Sequence, residues 1–212
     1  MTSSTDLAAL LCSRLCHDLM SPVGALGNGL ELLGSEEDPQ MREHCLGLIN
    51  RSAQASTAKL RFFRLAFGSA GSFDEDVPTQ EAYQVLTGLT GQDGKVSLEW
   101  AVEAESMPKN ALKVLLNLAG IGLDALVRGG TLAVGAELGE EATEIVVRAA
   151  GPRIAFSQDI SAALDGSLGE HERSARTAPA VLVRLLAEEQ GGEVQFALAD
   201  DALIMGAVLP DA

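Results

Sequence analysis

Basic residues are scarce. Lysine and arginine number 15 against 30 aspartates and glutamates, a formal charge of −15. Nucleic acid and anionic lipid repel a chain of that sign, which excludes both as partners. Long apolar runs are also absent. No stretch reaches the length of a membrane span, and no basic start followed by an apolar core marks a signal peptide. A soluble cytoplasmic protein is the expectation. Cysteine is limited to Cys12, Cys16 and Cys45, an odd count that makes a poor disulfide framework. Cys12 and Cys16 lie one helical turn apart, and His17 and His44 are possible fellow ligands. A structural zinc site, however, closes on four ligands, usually with C-x-x-C pairs. The thiols are therefore expected to pack a helix seam. Internal repeats and low-complexity tracts are missing. With 47% apolar residues, disorder is excluded as the main state.

What is present divides in two. The 212 residues suffice for one large domain or two small ones. Residues 1 to about 68 read as two helices joined by a turn at 35–39. Gly34 suits the end of the first helix and Pro39 the start of the second. Residues 68–78, rich in Gly, Ser and acid, read as a linker. Beyond it, helical patterns at about 79–89, 109–127 and 176–190 alternate with strand-like runs at 95–102, 131–138, 143–150, 192–199 and 202–209. Gly-Gly pairs at 129–130 and 191–192 each end a helix and open a strand. This predicts an α+β fold, with a helical domain over 1–70 and an α/β layer over 71–212 built from sequential strand pairs. Charge follows the same division. Residues 1–70 hold six bases and seven acids, a net of −1, and 71–212 hold nine and 23, a net of −14.

On a helical wheel Leu7, Leu11, Leu15, Leu19, Pro22, Leu26, Leu30 and Leu33 fall in one arc of roughly 140°. The second helix has its own stripe: Met41, Cys45, Leu48, Ile49, Ser52, Ser56, Leu60, Phe63 and Phe67. One hairpin cannot bury both stripes well, and such hairpins commonly dimerise into a four-helix bundle. A homodimer is expected. His17 lies about 200° from the centre of the first stripe and points to solvent. Small or polar residues share its strip: Ser13, Ser21, Gly24 and Asn28. Asp18 follows directly, and Pro22, five positions on, bends the axis. An imidazole that attacks phosphorus needs one ring nitrogen open, the other held by an acceptor, and a clear approach. Asp18 can be the acceptor. His44, near the start of the second helix, and His171, beside Glu170 and Glu172, have no such surroundings and read as plain surface residues.

The run Arg14-Leu15-Cys16-His17-Asp18-Leu19-Met20-Ser21-Pro22 resembles the phosphoacceptor box of sensor histidine kinases. The longer run, through Val23-Gly24-Ala25 and Asn28-Gly29-Leu30-Glu31-Leu32-Leu33, is similar to the ChpT family of histidine phosphotransferases. That resemblance implies a dimerising hairpin followed by an α/β sandwich like a degenerate histidine-kinase ATP-binding domain. Residue comparison supports the degeneracy. Asn117 matches the first Asn of the kinase Asn-rich helix, but Ile121 stands where the second should help hold the metal, and magnesium demands oxygen ligands. Ala149 replaces the aspartate that reads adenine and has no acceptor. Arg153 replaces the last glycine of that motif. The lid stretch Ser174–Ala180 contains no glycine, although a phosphate cradle needs close backbone N–H groups.

The resemblance implies a phosphorelay function. His17 accepts a phosphoryl group from the aspartate of a receiver domain, such as that of a hybrid histidine kinase, and passes it to a response regulator. No intrinsic cofactor is expected, because Mg²⁺ belongs to the receiver. Asp18 is the candidate for orienting the ring. Arg14, Ser21, Gly24, Asn28, Glu31 and Arg42 are candidate receiver contacts between His17 and the 35–39 turn, with Ser56 and Thr57 level with His17. Two rival functions are an active sensor-type kinase, which the lost nucleotide motifs oppose, and a non-enzymatic scaffold for response regulators, which the exposed His17-Asp18 pair opposes.

Overall fold

A computed structural model describes residues 4–68, 76–91 and 94–210. The chain begins with α1 (Ser4–Ser35) and α2 (Pro39–Phe67), antiparallel across a three-residue turn. Asp38 caps α2 by accepting from the Gln40 N–H at 3.3 Å, and Pro39 occupies the first turn, where its missing N–H costs nothing. Arg42 donates back to the carbonyls of Leu33 at 2.9 Å and Glu36 at 2.7 Å, satisfying acceptors that the end of α1 leaves free. Gly29, the one buried residue of α1, packs tightly against α2. A Cβ there would lie 2.8 Å from Ile49 Cγ1.

Next come β1 (Asp76–Pro78), α3 (Thr79–Thr90), β2 (Val96–Val102), β3 (Ser106–Pro108), α4 (Lys109–Ala125), β4 (Gly130–Leu138) and β5 (Ala142–Ala150). They are followed by α5 (Gln158–Asp165), a 3₁₀ turn at Glu170–Glu172, α6 (Ala178–Glu189), β6 (Glu193–Leu198) and β7 (Ala202–Pro210). Five strands form one sheet in the order β2-β4-β5-β7-β6, with β2 and β4 parallel and the other pairs antiparallel. β1 and β3 form a separate antiparallel pair. Gly129 (φ +80°) and Gly191 (φ +70°) adopt the left-handed conformation that turns each helix into its strand, which is why glycine pairs mark these corners.

Alternation along the strands makes the sheet one-sided. Ile145, Val147 and Ala149 of β5 face inward, whereas Glu144, Val146 and Arg148 face out. Helix α4, buried along nearly its whole length, lies against the inner face together with α6. Phe62, Phe63 and Ala66 of α2 belong to this same core, so hairpin and sheet layer share one apolar interior.

Several expectations need correction. The predicted linker at 68–78 is partly ordered structure: Gly68 caps α2, 76–78 form β1, and 69–75 lie outside the described residues. Strands β1 and β3 and helix α5 were not anticipated. The first helix ends at Ser35 rather than at Gly34. Cys45 does pack inside the hairpin, but Cys12 and Cys16 are exposed. Pro22 sits inside a continuous α1. Leu30, Met41 and Leu60, assigned to the apolar stripes, remain about half exposed in the single chain, as do Val23 and Leu46, and Met20 is more exposed still. No helix among the described residues is long and apolar enough to cross a membrane.

Candidate functional site

Proline 22 has no N–H. In an α-helix that N–H would bond to the carbonyl four residues earlier, which is that of Asp18. The vacancy is filled from the other helix: Lys59 Nζ donates to Asp18 O at 2.8 Å. The lysine thereby pins α2 to α1 at the level of the histidine. Replacing Lys59 with Met leaves a half-buried carbonyl unmatched and is expected to destabilise the fold by about 1–2 kcal/mol in urea unfolding.

The Asp18 side chain is engaged at both oxygens. Oδ1 lies 3.1 Å from His17 Nδ1, and Oδ2 accepts from Arg14 Nε at 2.6 Å. A carboxylate only accepts hydrogen bonds, so in the neutral ring the contact places the proton on Nδ1 and leaves the Nε2 lone pair open. The His17 side chain is 80% exposed, whereas those of Asp18 and Arg14 are each 18% exposed. The arrangement is an open imidazole nitrogen backed by a part-buried, charge-assisted clamp. Arg14 is not a free cation. Its Nη2 donates to Asp124 Oδ2 of α4 at 2.6 Å, across 110 residues of chain. Burial alone would lower its pKa, but the carboxylates of Asp124 and Asp18 outweigh burial and raise it above the usual guanidinium value.

Ser21, Gly24, Asn28 and Glu31 are exposed along the His17 strip, and a Cβ at Gly24 would meet nothing within 4 Å. Arg42 is exposed, yet its guanidinium holds the end of α1. Ser56 is buried and donates to Ser52 O, so of the two residues expected level with His17 only Thr57 is on the surface. His44 and His171 are exposed. Among the described residues no cluster of three His, Cys, Asp or Glu is placed to hold a metal. Lys59 and Asp124 went unnoticed in the sequence. For Lys59 a signal existed, because Pro22 announces an orphaned carbonyl at Asp18.

Beside this cluster a cavity of about 420 Å³ opens between the hairpin and α4, lined by Arg14, Lys59, Phe63, Asn117 and Ile121 among others. Asn117 is fully buried, and its Nδ2 donates to Ala66 O at 3.2 Å and Lys113 O at 2.8 Å. Ile121 and Ala149 belong to the core. In place of a glycine lid, Ser174 N–H donates to Thr177 Oγ1 at 3.0 Å, and a tight turn leads into α6.

Residues 79–202 match the family model of the histidine phosphotransferase C-terminal domain. Over 200 residues, 94% of each chain, the sequence is 38% identical to protein phosphotransferase ChpT of Brucella abortus (strain 2308). A bacterial phosphotransferase structure at 1.7 Å covers 98% of each chain with a TM-score of 0.86 and 34% identity. Full-length ShkA in complex with AMPPNP covers 99% of this chain and 46% of that one, at TM-score 0.50 and 17% identity, a likeness of fold alone. The chain belongs to the ChpT-type histidine phosphotransferase family, the phosphotransferases of two-component phosphorelays. Its architecture is a helical hairpin joined to a histidine-kinase-like α/β layer.

Proposed function

We propose that His17 is the phosphoacceptor, loaded by the phosphoaspartate of a receiver domain and unloaded onto the aspartate of a response regulator. The observation that carries this is the Nδ1–Asp18 contact at 3.1 Å on an imidazole whose other nitrogen faces solvent. The Nε2 lone pair attacks phosphorus, an Nε2–P bond forms, and the acyl P–O bond breaks as the receiver carboxylate leaves. The ring becomes cationic and keeps its Nδ1 proton, which Asp18 stabilises. The second transfer runs the same steps in reverse on another receiver. Positioning and charge supply the catalysis, and Mg²⁺ enters with the receiver.

Residues 1–70 serve as phosphoacceptor and dimerisation domain, and 71–212 as its kinase-like companion. The exposed Met20, Val23, Leu30, Leu46 and Leu60 support a homodimer, since a second hairpin would cover them. Ser21, Gly24, Asn28 and Glu31 form the receiver-facing strip. Arg14 and Arg42 act behind that strip rather than on it, because both are engaged within the chain. No nucleotide is needed. The residues at the kinase nucleotide positions do not suit one: Asn117 is turned inward, Ile121 and Ala149 offer no oxygen or acceptor side chain, and the lid is a closed turn.

The test is to mix the protein with a radiolabelled phosphorylated receiver domain and, separately, with labelled ATP. The expected result is acid-labile label from the receiver alone, mapped by mass spectrometry to the peptide holding His17. Label taken from ATP would mean an active kinase. Receiver binding without label would mean a scaffold.

A further inference from the structure

We propose that Asp124, in the α/β layer, is a positioning residue for the phosphoacceptor: through Arg14 and Asp18 it fixes the tautomer and aim of His17. This rests on the reading of His17 as the phosphorylated residue.

Three contacts join the elements in series. Asp124 Oδ2 accepts from Arg14 Nη2 at 2.6 Å, Asp18 Oδ2 accepts from Arg14 Nε at 2.6 Å, and Asp18 Oδ1 faces His17 Nδ1 at 3.1 Å. A carboxylate next to a histidine in sequence turns freely about its own side-chain bond unless its second oxygen is fixed. Arg14 fixes it. Arginine is itself long and loses much rotamer entropy when held, so a single partner one turn away restrains it weakly. Asp124 anchors the other end of the guanidinium fork from a separate, buried helix, which makes the planar group rigid.

The charge balance points the same way. Arg14 and Lys59 bring two positive charges to Asp18, and Asp18 and Asp124 bring two negative ones, so the group is neutral. Without Asp124 it carries a net positive charge next to a ring that must become cationic as Nε2 bonds phosphorus. Like charge at that distance opposes the attack. The α/β layer thus acts on the chemistry at a distance, without touching the transferred group.

Asp124→Asn removes the charge but keeps an acceptor for Arg14, whereas Asp124→Ala removes both. With its side chain 52% exposed, Asp124 tolerates either change without loss of fold. Transfer from a phosphorylated receiver is measured against receiver concentration, and the His17 tautomer is read from ¹⁵N chemical shifts of the imidazole. We expect kcat to fall about tenfold in both variants with KM unchanged. In Asp124→Ala we also expect the Nε2–H tautomer to appear. An unchanged kcat with unmoved ¹⁵N shifts overturns the proposal, even if the melting temperature drops, because Asp124 would then be only a latch between the two halves. A change confined to KM overturns it too, because Asp124 would then be a receiver contact. His17→Ala is run alongside: label surviving there removes the phosphoacceptor reading itself, a result separate from any behaviour of Asp124.

Discussion

Replacing His17 with glutamine is expected to lower phosphoryl transfer from a phosphorylated receiver by at least about 10⁴-fold, to background. An amide nitrogen has no available lone pair, so no Nε2–P bond forms. The fold should not notice. The ring is 80% exposed and its one hydrogen bond goes to a neighbour on the same helix, so the melting temperature should stay within about 2 °C. Glutamine is close in length and keeps a donor for Asp18, which separates loss of the nucleophile from loss of the clamp. A His17→Gln protein that still acquires acid-labile label would move the chemistry to His44 or His171 and end the present assignment.

The largest stability effect is expected at Phe63. Its ring is 5% exposed, meets Phe62 edge-on at 5.6 Å, and stacks on Phe67 at 5.4 Å. It lies where the end of α2 enters the core shared with α4 and the sheet. Truncation to alanine removes the buried ring and leaves a void beside the existing cavity, at a cost of about 3–5 kcal/mol. For a chain of this size that is a fall in melting temperature of roughly 10 °C, readable by circular dichroism. Leu60→Ala, one turn earlier, is the informative companion. Leu60 is 50% exposed in the single chain, so its truncation should cost under about 1 kcal/mol in a monomer. A larger loss that grows with protein concentration would report burial by a second hairpin.

The hairpin was legible because each helix repeats its apolar residues over many turns, and a long period survives local noise. The five-strand sheet was legible for a related reason: alternation in β5 and β7 is clean, and glycine pairs, each with a positive φ at its first residue, mark the entries to β4 and β6. Strands β1 and β3 have three residues each, too few to show any period, and α5 buries only Ile160, Ala163 and Leu164. The wheel placed His17 in solvent because exposure on a helix is a local property. It could not place Arg14, since the partner that completes its fork lies 110 residues away and nothing in the intervening sequence marks the pair. The exposed cysteines have the same origin. Cys12 and Cys16 lie on the exposed surface of α1, and which arc of a helix meets its neighbour depends on the pairing of the helices and not on composition.

The clamp on His17 grips Nδ1, the nitrogen opposite the one that meets phosphorus. Its stabilisation of the charged ring is therefore the same whichever receiver stands before it. That stabilisation favours loading over unloading at each receiver, yet it cancels from the balance between two receivers that share the same phosphohistidine. By microscopic reversibility the protein then behaves as a symmetric exchanger. The traffic through it follows the phosphorylation potentials and copy numbers of the receivers at either end, so reversing those reverses the current without any change in the protein.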